Sequence, residues 1–224
     1  MPVEQPVEAE SAAALGVERR AVDKFSLRRA ELAAAALATL SEFGYARTSL
    51  REIAQGSGFS HGVFHYYFRD KVELITYCVR EYKIACIAHY EEIAVNASSA
   101  EQVRLDFAAA LAASARDDTA MHRLWYDLRN QSMFGNDFQA DVAEVDGSLE
   151  QMIWRIVTAY AAFSHAEVAL SRSAVYAVFD GMFQQALLGI HTGNNDAVAA
   201  LQEGVWQVLP RLLDGFAPPP PPAG

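Results

Sequence analysis

The sequence predicts an all-α fold with two parts: an amino-terminal three-helix segment in helix-turn-helix arrangement, then a larger helical domain. Three observations carry this expectation. No stretch alternates apolar and polar residues with the two-residue period of a half-buried strand. Ala, Leu, Glu, Gln and Arg, all strong helix formers, dominate the chain. Helix-start and helix-stop residues recur at helical spacings. With 224 residues and 52% hydrophobic side chains the chain can bury a substantial core.

In chain order, residues 1–24 read as a loose arm, because "PVEQPVEAESAAALG" offers little to bury. Ser26 is placed to cap a first helix over "LRRAELAAAALATLSEF", and Gly44 to end it. A short helix over "LREIAQ", the turn "GSGF" and a second short helix over "SHGVFHYY" follow. Asp70 and Glu73 have capping-box spacing, so a long helix is expected from there through "VELITYCVREYKIACIAHYEEIA". Ser99, Thr119, Asn136 and Ser164 are candidate N-caps for later helices. "GNND" divides a long segment, 166–192, from a last helix over "AVAALQEGVWQVLPRLL", and the ending "PPPPPAG" reads as an extended tail. The expected domains are therefore 1–24, 25–71, 72–214 and 215–224.

Composition narrows the function classes. The amino end carries acid where a secretory signal needs positive charge, and no apolar run approaches the roughly 18 residues of a membrane span, so a cytoplasmic protein without a membrane partner is expected. Cys78 and Cys86 lie about two helical turns apart, too far to bridge, and read as small core residues. The net charge is −10, yet residues 19–71 hold nine Lys or Arg against five Asp or Glu. Only this region suits a polyanion, although scattered surface charge explains the same numbers.

The stretch "GFSHGVFHYYFRDK", residues 58–71, concentrates aromatics and histidines. Ordinary core, a metal site on His61 and His65, and a face directed at an external partner all account for such a composition. Leu50, Ile53 and Ala54 suit the core side of the first short helix, and Val63, Phe64 and Phe68 that of the second. His61 and His65 fall one turn apart on one face with Tyr66 beside them, so packing cannot claim every side chain. The stretch supplies no Cys and only Asp70 as a nearby carboxylate, which argues against a metal. Two short helices around a glycine-bearing turn, after a longer helix, match the arrangement whose second helix enters a DNA major groove.

Residues 48–74, "TSLREIAQGSGFSHGVFHYYFRDKVEL", resemble the helix-turn-helix signature of the tetracycline-repressor (TetR) family of transcriptional regulators, through Thr48, Ile53, Ala54, Ser60, Gly62, Tyr67, Phe68 and Lys71. The resemblance implies DNA contacts from Thr48, Ser60, His61, Gly62, Val63, His65, Tyr66, Tyr67 and Lys71. His61 stands where Lys is common, Val63 where Thr is common and His65 where Tyr is common, so the base preference differs from the usual form. The resemblance also implies a double-stranded operator, a homodimer, a helical ligand-binding and dimerisation domain over 72–214, and a repressor released by a small hydrophobic effector. No cofactor and no metal are implied. Trp125, Tyr126, Arg129, Asn130, Met133, Phe134, Trp154, Asp180, Phe183 and Gln184 are the candidate ligand contacts, with Arg129 the candidate partner for a carboxylate. The apolar faces of 166–192 and of the last helix are expected at the dimer interface, where Gly181, Gly189 and Gly204 permit close approach.

The alternative is a helical small-molecule-binding protein or enzyme that does not bind DNA. "DDTAM" from Asp117 is similar to the start of an acidic magnesium motif, but its third acid is missing. No nucleophile elbow, phosphate loop or paired-histidine zinc motif is present.

Overall fold

A computed structural model of the chain describes residues 7–44 and 47–215, with side chains from Lys24 onward except at position 41. The described residues form α1 (Val7–Phe43), α2 (Leu50–Ser57), α3 (His61–Tyr67), α4 (Lys71–Asn96), α5 (Ala100–Asp117), α6 (Thr119–Gln131), α7 (Gln139–Phe163), α8 (Arg172–His191) and α9 (Ala197–Val208), closed by a 3-10 turn over Leu209–Leu212. The all-α expectation holds. The chain divides into two compact units, Met1–Cys78 and Val79–Gly224, and α4 runs through the boundary.

In the first unit α1 starts at Val7, not after Ser26. The segment expected as a loose arm is helical from that residue on, because Ala, Glu, Val and Arg follow one another with no proline after Pro6. Residues 1–6 and the proline tail beyond Gly215 lie outside the described residues. Gly44 ends α1 with a left-handed φ of 75° while its N–H returns to the Leu40 carbonyl at 2.8 Å. Helix α2 is held by a complete capping box. The Ser49 hydroxyl accepts from the Glu52 N–H at 3.3 Å, and Glu52 accepts from the Ser49 N–H at 2.7 Å. Gly58, at φ 76°, turns the chain from α2 to Ser60, which caps α3. Leu50, Ile53, Ala54, Phe64 and Phe68 are buried with Leu32, Ala36 and Leu40 of α1. The α1–α2 contact is close enough that a Cβ on Gly56 would stand 2.3 Å from Thr39 Oγ1.

In the second unit α5 packs against α6, α7, α8 and α9, and α8 packs against α7 and α9. Ser99 caps α5 as expected, through the Gln102 N–H at 3.1 Å. The other expected caps shift. Asp118 rather than Thr119 precedes α6, Phe138 rather than Asn136 precedes α7, and Ser171 caps α8. Ser164 instead ends α7. His165 adopts φ 52°, and the Ala166 N–H reaches back to the Ala161 carbonyl at 3.1 Å, closing the helix as a Schellman turn does. Glycines at the α8–α9 contact serve packing within the chain. A Cβ on Gly204 would lie 2.7 Å from Met182, and one on Gly189 would lie 2.7 Å from Ala197.

Candidate DNA-reading surface and buried ligand cavity

The first unit presents α3 outward. Ser60, His61, Gly62, His65 and Tyr66 are exposed, Tyr66 to 74%, while Val63 and Tyr67 are half-buried. The division follows the helical period, since Phe64 and Phe68 on the opposite face are the buried pair. Tyr66 meets the Phe25 ring of α1 edge-on at 6.4 Å between ring centres and Tyr67 lies tilted against it at 4.8 Å, which orients both at the surface. The Nε2 atoms of His61 and His65 lie 3.1 Å apart, so one ring donates and the other accepts.

Thr48 and Lys71 differ from these residues. Thr48 is buried, and its hydroxyl donates to the Gly44 carbonyl at 2.6 Å. The Lys71 ammonium donates to the Thr48 carbonyl at 2.8 Å, tying the start of α4 to the loop before α2. Beside it, Glu73 accepts from the Arg69 N–H and from the Arg29 guanidinium, each at 2.8 Å, and Asp70 accepts from the Glu73 N–H at 2.8 Å. That backbone hydrogen bond holds the Asp70 carboxyl below its ordinary range. Among the described residues no group of three His, Cys, Asp or Glu is placed to hold a metal ion.

The second unit contains a cavity with about 490 Å³ of empty space, its mouth included, between five helices. Each helix contributes residues at helical spacing: Lys83, Cys86 and Tyr90 from α4, Leu111 and Ser114 from α5, and His122, Trp125 and Tyr126 from α6. Leu149, Met152 and Ile153 come from α7, and Tyr176, Phe179, Asp180 and Phe183 from α8. Large apolar walls with a few convergent polar groups are the usual build of a small-molecule site.

Four of the expected ligand contacts line this cavity: Trp125, Tyr126, Asp180 and Phe183. Met133 and Phe134 do not. Helix α6 ends at Gln131 and the chain turns away, leaving them 70% and 89% exposed. Asn130 is exposed as well, and Trp154 and Gln184 are half-buried, each one position beyond a lining residue, Ile153 and Phe183.

Arg129 is not available to a carboxylate ligand as expected. Its guanidinium is claimed by Asp180 at 2.6 Å and Asp146 at 3.0 Å. The same two carboxylates accept from the hydroxyls of Tyr126 at 2.8 Å and Tyr176 at 2.6 Å. Burial, joined by these carboxylates, pushes both phenols well above their ordinary range.

Sequence reasoning missed a buried cation on the cavity wall. Lys83 is 5% exposed, and its ammonium lies 3.2 Å from His122 Nδ1. Burial lowers its pKa to about 8, so it remains cationic at neutral pH. His122, 2% exposed, is held neutral by burial and by the Lys83 charge, with its pKa lowered to about 2. Its Nε2 lies 2.8 Å from Ser114 Oγ and 3.1 Å from the Tyr82 hydroxyl. A signal was present, since Val79, Lys83, Cys86 and Tyr90 share one face of α4 and place a lysine within an apolar stripe. The acidic pair of "DDTAM" forms no such site, as Asp117 is exposed and paired with Arg116 at 2.8 Å.

No helix among the described residues is long and apolar enough to cross a membrane. Residues 32–78 match the family model of bacterial regulatory proteins, tetR family. The fold is that of several solved regulators. A TetR transcription regulator from Haloarcula marismortui shares 15% identity at a TM-score of 0.69, over 84% of this chain and 100% of that one. The transcriptional regulator FadR from Bacillus subtilis, in complex with stearoyl-CoA, shares 17% identity at a TM-score of 0.67, over 84% and 98% of the two chains. A transcriptional regulator from Saccharomonospora viridis, in complex with choline, shares 12% at 0.68, over 84% and 98%. Among curated proteins none matches the chain.

Proposed function

Because the chain belongs to the tetR family of bacterial regulatory proteins and is a DNA-binding transcription regulator of a non-enzymatic family, we propose that it acts in the cytoplasm as a homodimeric repressor. Two copies of α3 read a near-palindromic operator, and a small, largely apolar effector in the second unit releases it. The observation that carries the effector reading is the five-helix cavity, whose wall includes Trp125, Phe179 and Phe183. That FadR of Bacillus subtilis holds stearoyl-CoA and the Saccharomonospora viridis regulator holds choline on the same fold supports it.

On α3, Tyr66 and the His61–His65 pair are the groups directed at bases and phosphates, and half-buried Val63 offers an apolar contact such as a thymine methyl. Ser60, Gly62 and Tyr67 set the approach of the backbone, while Thr48 and Lys71 join the helix to its supports. The Lys71 ammonium, which holds the Thr48 carbonyl, is the candidate phosphate contact at the start of α4.

Helix α4 begins in the reading unit and carries Lys83, Cys86 and Tyr90 on the cavity wall, so an effector that changes the seating of α4 acts on both units. A coupling of about 1–3 kcal/mol weakens operator binding roughly 5- to 150-fold. For dimerisation the reading relies on α8 and α9, where Gly181, Gln185, Leu188, Ala199 and Ala200 are exposed together with a small-residue groove.

Thermal-shift screening of apolar acids, alcohols and amines, followed by an operator-release assay on each hit, tests the reading. Compounds that bind and release DNA support it. Binders without release would leave the cavity as a structural or storage site, and Leu188→Glu remaining a dimer by sedimentation would remove α8 from the interface.

A further inference from the structure

The cavity is electrostatically uneven. Each oxygen of its carboxylates already holds a donor: Asp180 receives the Arg129 guanidinium at 2.6 Å and the Tyr126 hydroxyl at 2.8 Å, and Asp146 behind it receives Arg129 at 3.0 Å and Tyr176 at 2.6 Å. Lys83 is different. Among the described residues no carboxylate lies within ion-pairing distance of its ammonium. Its hydrogen-bond contact is His122 Nδ1 at 3.2 Å, and it also faces the rings of Tyr82 and Trp125, each 5.6 Å away, with Cys86 and Asp180 on the same cavity wall. An ammonium has three N–H donors, and His122 accepts one.

The surrounding bonds fix the direction of that donation. With Nδ1 accepting from Lys83, the proton of the neutral ring sits on Nε2, which donates to Ser114 Oγ at 2.8 Å or to the Tyr82 hydroxyl at 3.1 Å. His122 therefore serves as a neutral strut that holds the cation at the wall, without cancelling its charge. A buried cation is costly unless an anion joins it. On the apolar side Trp125, Phe179 and Phe183 are buried and face the same space.

We propose that this cavity takes an amphiphilic carboxylate, whose head group pairs with the Lys83 ammonium while its hydrocarbon body lies against Trp125, Phe179 and Phe183. The proposal rests on reading the cavity as the effector site. It replaces Arg129 by Lys83 as the anion partner, because Arg129 already holds two carboxylates. A cationic ligand is disfavoured on the same ground, since both acidic groups are taken and the remaining charge on the wall is positive.

The test uses three eight-carbon probes of equal length, octanoate, octanol and octylammonium, titrated calorimetrically into the full chain at pH 7. Octanoate is expected to bind about 10- to 100-fold more tightly than octanol, the range of a charge-assisted hydrogen bond, and octylammonium more weakly than both. In Lys83→Met the preference for octanoate falls to near unity while octanol binding is kept. Lys83→Arg retains a preference and decides the matter if the Met variant does not fold. Equal or tighter binding of octanol or octylammonium to the unsubstituted chain overturns the proposal, as does a preference that survives in a folded Lys83→Met.

Operator release is scored in parallel to separate this from the regulatory reading. Lys83-dependent octanoate binding without release sustains the anion site and sinks the effector role. Release by octanol with no preference for octanoate sinks the anion site and leaves the regulator reading in place.

Discussion

In the first unit the imidazoles of His61 and His65 lie on an exposed helix face beside Tyr66, whereas in the second unit the imidazole of His122 is 2% exposed and bonded at both nitrogens. The two regions use the same chemical groups for opposite purposes. On α3 the polar groups satisfy themselves in solvent and remain available to a partner that arrives from outside. In the cavity the Arg129, Tyr126, Asp180 and His122 groups are satisfied by protein partners, and Lys83 keeps N–H donors beyond the one given to His122. Exposure, more than residue type, separates a surface that reads a macromolecule from a site that holds a small molecule.

The comparison breaks most visibly at Phe64, which is fully buried behind the reading face. Phe64→Ala is expected to cost about 3–5 kcal/mol and to abolish DNA binding by loosening the first unit. Chemical denaturation followed by circular dichroism measures it, and a loss below about 1 kcal/mol would mean that α3 is not anchored through this ring.

Next in size is Lys83→Met. Burial holds the folded pKa at about 8 against an ordinary 10.5, so the unfolded chain keeps the proton more readily between those values. Stability therefore rises with pH across that window, and the penalty below it is on the order of 3 kcal/mol. With the His122 hydrogen bond lost as well, Lys83→Met is expected to stabilise the chain at pH 7 by about 1–3 kcal/mol and to flatten the rise between pH 8 and 10. The facing groups are His122, Tyr82, Tyr90, Tyr126, Cys86 and Asp180. The raised pKa values of Tyr82, Tyr90 and Tyr126 act in the opposite direction above about pH 10. A less stable variant at pH 7 would show that the ammonium is better compensated than its contacts indicate. His122 sharpens the same point on the acid side. Its folded pKa of about 2 lies below the ordinary 6.5, so stability falls as pH drops through that value, and His122→Gln removes this part of the acid dependence.

How much of this was legible in the sequence depended on range. The reading unit was legible because its signals are local. The Ser49–Glu52 box, Gly58 and the alternation of Phe64 with exposed Tyr66 all fall within one or two helical turns. Glu73, placed in a capping box with Asp70, instead accepts from the Arg69 N–H, one residue earlier. The cavity was legible only as a list of aromatics, since which ring points inward depends on where helices end and how five of them pack. Met133 and Phe134 were lost to the end of α6 at Gln131, and Ser164 was misread because a non-glycine left-handed residue, His165, closes α7. Arg129 and Lys83 exchanged roles because the carboxylates that claim Arg129 come from α7 and α8, 17 and 51 residues along the chain.

Smaller effects separate the residues that support α3 from those that read. Tyr66→Phe should leave the melting temperature unchanged and weaken operator binding several-fold, as removal of one hydrogen bond to DNA does. Lys71→Ala should weaken binding to every sequence and reduce the salt slope by roughly one, with a modest loss of stability from the bond to the Thr48 carbonyl. A Tyr66→Phe variant that melts early would place its hydroxyl in the structural network instead.

The most direct test of the central claim, that an outward-facing α3 reads DNA as a pair, is selection of binding sites from a random duplex library by the full chain, followed by a salt titration on the enriched site. The account predicts a near-palindromic motif whose two halves sit about one helical turn apart, bound with an affinity that falls steeply as salt rises and that Tyr66→Ala weakens without unfolding the chain. Selected pools no different from the starting library, or a motif bound equally well by Tyr66→Ala, would contradict it.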